Sequence, residues 1–220
     1  MVELDGGAVT GHYNFWLVAL SFLVAAAGSY LALRLAPAPL HPDQPPRIAS
    51  LMGVGPAAVT LGLTIWAMHF TGMAAFSMPG MEIGYRWDVT LLSLLVAVVF
   101  TSIGFAAISI LKDPREALIV AGIPMASGIL SMHFLGMFAM IMPMNLHFDP
   151  GLVVLSGAIA LLASIASLWL MVFGRSRGVV AAVVMAMGIC GMHYTGMAAA
   201  RFTSPAEPHA AGDAMDWSPA

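Results

Sequence analysis

Three stretches decide how this 220-residue chain reads: Met68-His69-Phe70-Thr71-Gly72-Met73, Met132-His133-Phe134-Leu135-Gly136-Met137 and Met192-His193-Tyr194-Thr195-Gly196-Met197. They are one hexapeptide, Met-His-aromatic-x-Gly-Met, written three times with its histidines 64 and 60 residues apart. Each stands near the end of a long apolar run. In a helix, positions i and i+4 share a face. His69 therefore points with Met73, His133 with Met137, and His193 with Met197. Met68, Met132 and Met192 fall about 100° round the helix, at the edge of that face.

A second run precedes each hexapeptide and carries its own mark: Leu17-Val-Ala-Leu-Ser21, Val89-Thr-Leu-Leu-Ser93 and Leu152-Val-Val-Leu-Ser156. The repeating unit is thus an odd helix followed by an even helix that bears the histidine. Apolar runs fall at about 14–33, 48–77, 89–111, 116–142, 151–173 and 178–201, divided by Pro, Gly and charge. Sixty per cent of the chain is apolar and 9% charged, far below the roughly 25% charged residues of soluble domains. A span needs about 20 apolar residues. The chain is predicted to be an all-α membrane protein of six transmembrane helices. They form three two-helix units, at about 14–77, 89–142 and 151–201, within a membrane domain over 14–202. Residues 1–13 are read as an outer segment and 203–220 as a flexible outer tail.

Two crossings per unit give all three units one orientation, so an approximate threefold axis runs along the membrane normal. The histidines then share one depth in the outer half of the bilayer. Even helices are expected inside and odd helices around them, with Gly72, Gly136 and Gly196 permitting close backbone approach. The inner loops hold Arg34, Arg47, Lys112, Arg115, Arg175 and Arg177, and the outer segments Arg86 and Arg201. Positive charge inside therefore places both termini outside. A net charge of −3 gives no footprint for nucleic acid. Cys190 is the single cysteine, so an internal disulfide is excluded.

Three imidazoles with up to six thioethers make a ligand set for a soft or borderline metal, copper above all. The metal ligands assigned from the motif are His69, His133, His193, Met73, Met137 and Met197. Met68, Met132 and Met192 are further candidates. No carboxylate or cysteine belongs to the motif, which argues against magnesium, calcium, structural zinc and iron–sulfur clusters. His12 and His147 occupy matching sites before the first and fifth spans and are candidates for outer ligands or an uptake route, against the plainer reading of two solvated interfacial histidines. His41 and His209 read as solvated loop residues. Met78 and Met142 match each other nine residues after their histidines, a place for helix-end packing. Trp16, Tyr85 and Trp87 fit an interfacial belt, and Ser21, Ser93 and Ser156 are expected to bond to their own helix backbone. No catalytic triad, buried acid–base carboxylate or phosphate-cradling loop is present in the pattern.

His193-Tyr194-Thr195 after Met192, with Met68-His69-Phe70-Thr71 and Met132-His133-Phe134-Leu135 as variants, resembles the MHYT domain of bacterial integral membrane sensors over about residues 10–202. The resemblance implies a six-helix domain in the bacterial cytoplasmic membrane whose motif residues project together near the outer face. It also implies copper, and through copper the sensing of oxygen, carbon monoxide or nitric oxide. A cytoplasmic signalling partner or fused output domain, such as a cyclic-di-GMP enzyme or histidine kinase, is implied as well. Phe70, Phe134 and Leu135 depart from the family's Tyr and Thr, which sets aside a role needing three phenols. The function expected is a copper-based gas or redox sensor rather than an enzyme. A copper enzyme that activates oxygen or oxidises a small molecule, a copper-handling protein, and haem held by two of the histidines remain as alternatives.

Overall fold

A computed structural model describes residues 11–37, 52–78, 83–174 and 178–203. Among the described residues six long helices cross the fold: α1 Phe15–Leu35, α2 Val54–Ala75, α3 Trp87–Ile110, α4 Pro114–Phe138, α5 Pro150–Phe173 and α6 Gly178–Ala199. Each is 21 to 25 residues long and apolar enough to cross a membrane. At 1.5 Å per residue, such lengths match a hydrocarbon core of about 30 Å. The chain is a multi-pass membrane protein.

The helix starts follow local chemistry. Asn14 caps α1 by accepting from the backbone N–H of Trp16 and Leu17. Asp113 and Asp149 do the same for α4 and α5, each followed by a proline at the first helical position. Such caps satisfy N–H groups that the helix itself leaves without partners.

Sequence periodicity gave no sign of three short antiparallel ribbons at one end of the bundle. β1 (His12–Tyr13) pairs with β2 (Phe76–Ser77), β3 (Gly84–Tyr85) with β4 (Met140–Ile141), and β5 (Asn145–Phe148) with β6 (Ala200–Thr203). Each ribbon joins the strand before an odd helix to the strand after the following even helix, so it clasps one two-helix unit. One backbone hydrogen bond recurs in every unit: Asn14 N–H to Ala75, Arg86 N–H to Ala139 and Asp149 N–H to Ala199, at 2.8, 2.8 and 2.9 Å. The approximate threefold symmetry expected from the repeat is present in the backbone itself.

Ring neighbours run α1–α2–α3–α4–α5–α6 and back to α1, while α2, α4 and α6 also touch one another at the centre. Half or more of the membrane-length window is buried in each even helix, against 28–39% in each odd helix. Even helices therefore line the axis, as expected. The odd helices turn one narrow face inward, marked by Ser21, Ser93 and Ser156, all fully buried. Each of these hydroxyls donates to the carbonyl three residues back at 2.7 Å, as the sequence predicts.

Some boundaries differ from expectation. The fourth helix ends at Phe138 rather than near 142, because Met140–Ile141 pair as β4 and continue the apolar run as strand. The second helix begins at Val54 and ends at Ala75, with Phe76–Ser77 as β2; positions 48–51 lie outside the described residues. Trp16 and Trp87 are exposed, as an interfacial belt requires. Tyr85 differs: it is half-buried and packs on Phe70 at a ring-centroid separation of 5.3 Å. His41, His209, Arg47, Arg175, Arg177, positions 1–10 and the tail from 204 lie outside the described residues.

Candidate metal centre

The inward face of the even helices is a stack of layers one helical turn apart. Ile65, Ile129 and Ile189 form the layer one turn from the histidines on the side away from the ribbons. Next come His69, His133 and His193, and then Met73, Met137 and Met197 on the ribbon side. Every member is buried, with relative exposure of 4% or less. The four-residue spacing that stacks them is the i, i+4 rule of a single helix face, repeated on three helices by the internal repeat.

Within the histidine layer the Nδ1 atoms converge. His69 to His193 is 3.1 Å, and His133 stands 3.2 Å from each of the other two. The rings meet edge to face, with centroids 5.0–5.1 Å apart. All three are fully buried. Gly72, Gly136 and Gly196 have a different task from the one the sequence suggested. A Cβ on Gly72 would overlap His193 Nε2, one on Gly136 would overlap His69 Nε2, and one on Gly196 would overlap His133 Nε2. Each glycine leaves room for the neighbouring helix's imidazole, and only secondarily brings backbones together.

Three neutral imidazoles cannot satisfy one another in this arrangement. Each ring has one N–H and one lone pair, so each Nδ1 is either a donor or an acceptor. Around a triangle, at least one pair must then face like to like. A cation at the meeting point removes the conflict by taking all three lone pairs. The edge of a tetrahedron around an ion with metal–nitrogen bonds of 2.0–2.1 Å is about 3.3–3.4 Å, close to the observed separations. The donor set therefore fits an ion bound through Nδ1, with the ring protons on Nε2. Those three Nε2 atoms have no hydrogen-bond partner among the described residues.

The thioethers divide between two environments. Met68, Met132 and Met192 belong to the main core with Met125 and Met185. Met73, Met137 and Met197 belong to a separate cluster on the ribbon side with Phe76, Met78 and Phe202, against which Tyr85, Met140, Met142 and Met144 pack. The ribbons roof that cluster. His12 and His147 are exposed on β1 and β5, outside the buried trio. Met78 is buried and Met142 half-buried in the roof, each directly after a strand, β2 or β4, rather than at a helix end.

A ring of aromatics surrounds the histidines. Each motif aromatic packs edge-on to its own histidine, with centroids 4.8–4.9 Å apart. Each also meets the strand aromatic of the next unit: Phe70 with Tyr85, Phe134 with Phe148, and Tyr194 with Tyr13. Tyr13 and Phe148 were not singled out in the sequence, although both follow the matched positions His12 and His147, as Tyr85 follows Gly84. At the rim, burial pushes the Tyr13 phenol up to about 12, with the Tyr194 phenol adding to it, and burial pushes Tyr85 to about 12 as well. The N–H of Leu152, followed by the Arg201 guanidinium, holds Asp149 below the usual carboxylate range. Among the described residues Asp88, Asp113, Glu116 and Asp149 all stand at helix starts, so none can exchange a proton with the centre.

Comparison with known proteins agrees with this architecture. A family model described as the MHYT bacterial signalling protein N-terminal repeat matches residues 62–121, 127–186 and 187–214. The chain is 40% identical over 211 residues to the bifunctional diguanylate cyclase/cyclic di-GMP phosphodiesterase MucR of Pseudomonas aeruginosa, covering 93% of this chain and 30% of the relative. It is 34% identical over 205 residues to the cyclic di-GMP phosphodiesterase NbdA of the same organism, covering 88% and 25%. With the signaling protein YkoW of Bacillus subtilis it shares 31% identity over 223 residues, covering 94% and 27%. The chain thus spans less than a third of the length of these relatives. No solved structure matches it.

Proposed function

This chain belongs to the MHYT family of bacterial signalling proteins, and we propose that it is a copper-binding membrane sensor for a diatomic gas or for redox state. The observation that carries this reading is the convergence of three Nδ1 atoms within 3.2 Å of one another in a fully buried layer. His69, His133 and His193 would hold the ion, and the thioethers of Met73, Met137 and Met197 offer further ligation from the roof side. Every one of these ligands is neutral. An ion held by neutral groups within a membrane keeps its whole charge, and the desolvation penalty rises with the square of that charge. Copper(I) meets both demands, being soft and singly charged. Zinc and other divalent ions carry the larger penalty without a carboxylate or thiolate to offset it. Haem fits poorly, because its axial imidazoles would have to stand on opposite faces of a macrocycle, whereas these converge on one point.

Copper supplies affinity for oxygen, carbon monoxide and nitric oxide together with a one-electron couple. The residues of the chain supply the rest. The isoleucine layer excludes water from one side of the histidines, and the methionine–aromatic roof covers the other. The three imidazoles ride on three separate helices, so any change in their separation moves α2, α4 and α6 against one another. With the termini on the outer side, the inner ends of those helices would pass the movement to a cytoplasmic output. By the names of the relatives, that output would make or degrade cyclic di-GMP. The three-His set also suits an oxygen-activating enzyme or a copper carrier, but among the described residues the isoleucine layer beneath it puts no polar group on the axis.

The test is elemental analysis of the anaerobically purified chain in lipid nanodiscs. One copper per chain is expected in the parent and none in His69→Ala, His133→Ala or His193→Ala. A parent without copper, or variants that keep it, would overturn the reading.

A further inference from the structure

Three seams separate the units, and by symmetry they should be alike. At the first two, the motif aromatic is Phe70 or Phe134. At the seam between the third and first units it is Tyr194, which faces the phenol of Tyr13 at 5.8 Å and whose hydroxyl lies 2.8 Å from Ser21 Oγ. The same seam holds a cavity of about 310 Å³ lined by Gly11, Tyr13, Phe76, Tyr194, Met197 and Ala198. Met197 is the thioether one turn beyond His193. The outer ends of the first and second units are tied by the chain between β2 and β3, and those of the second and third by the chain between β4 and β5. No such link ties the third to the first.

An ion from water cannot cross lipid to reach the centre, and the isoleucine layer closes the side away from the ribbons. The cleft lies on the ribbon side of the bundle and is lined by Tyr13, Tyr194 and the candidate ligand Met197. Exposed His12 stands in the chain between two residues of its lining, Gly11 and Tyr13. Resting on the metal reading above, we propose that a soft metal ion reaches the three histidines from the outer face through this cleft. Met197 is its first buried contact, and the Tyr194–Ser21 hydrogen bond acts as the bolt that keeps the seam shut.

Symmetry supplies the control. Ala198 and Ala74 occupy equivalent positions five residues after their histidines, and both are exposed. Copper(I) delivered from a coloured bicinchoninate complex to the full chain in nanodiscs reports loading by the loss of the complex's absorbance. Ala198→Trp, which fills the cleft, is expected to slow loading about tenfold while leaving the final copper content unchanged, and Ala74→Trp to leave the rate unaltered. Tyr194→Phe, which removes the bolt but not the ring, is expected to quicken loading about threefold. Equal rates in the two Trp variants, or slowing by Tyr194→Phe, would overturn the proposal. If Ala198→Trp does not fold, the sign of the Tyr194→Phe effect decides alone. A parent that takes up no copper ends the metal reading itself, a result distinct from either.

Discussion

One helical turn separates two layers of the same three helices, and they are built on opposite terms. Ile65, Ile129 and Ile189 fill the axis with branched apolar side chains and leave nothing polar behind. His69, His133 and His193 fill it with rings whose Nδ1 atoms conflict and whose Nε2 atoms lack partners among the described residues. A buried polar group without a partner costs about 1–3 kcal/mol. Packing alone would put isoleucine in both layers; on the reading proposed above, the histidine layer is explained by the ion it would hold. On that reading the isoleucine layer holds the bundle and the histidine layer trades stability for chemistry.

Substitution in each layer can break that contrast. Ile129→Ala should lower thermal stability by about 2–5 kcal/mol through the cavity it leaves, and copper content should stay at the parent's value. A loss of copper together with the stability would mean that the two layers are not separable. His133→Leu should do the reverse. In chelator its stability should exceed that of the parent by about 1–3 kcal/mol, since one unpartnered polar ring is gone, while copper binding is lost. A variant less stable than the parent in chelator would show that the ring contributes packing that leucine cannot replace.

The smallest effect belongs to the rim, away from both layers. Asp149 is held below its ordinary value of 3.8 by the Leu152 N–H and by Arg201. A carboxylate whose folded pKa is depressed contributes fully above its unfolded pKa, and that contribution is lost as pH falls through the folded one. The parent's unfolding temperature should therefore fall as pH drops below 3.8, and Asp149→Asn, which can still cap α5, should flatten that slope. An unchanged slope would assign the acid sensitivity to other groups.

Much of the architecture was legible before any coordinates. Long apolar runs with little charge demand spans, and three copies of one hexapeptide demand three equivalent helices in one orientation. The i, i+4 rule put each histidine with its methionine on the inward face. The ribbons escaped notice because strands of two to four residues are too short to show a period of two. Their apolar members, Met140 and Ile141, read instead as the tail of a helix. Tyr85 read as a belt residue because position along the chain does not reveal which motif aromatic it will meet.

Sequence alone determined the number of spans, the threefold repeat, the inward face and the residue types gathered on it. These follow from hydropathy and helical period, which are local properties. Only the tertiary structure decided that the imidazoles present Nδ1 rather than Nε2 to the axis, that each motif glycine accommodates a neighbour's ring, and that the seam between the third and first units holds a cleft. Ring orientation and seam shape depend on the distance between helices, and no period along a single chain encodes that distance.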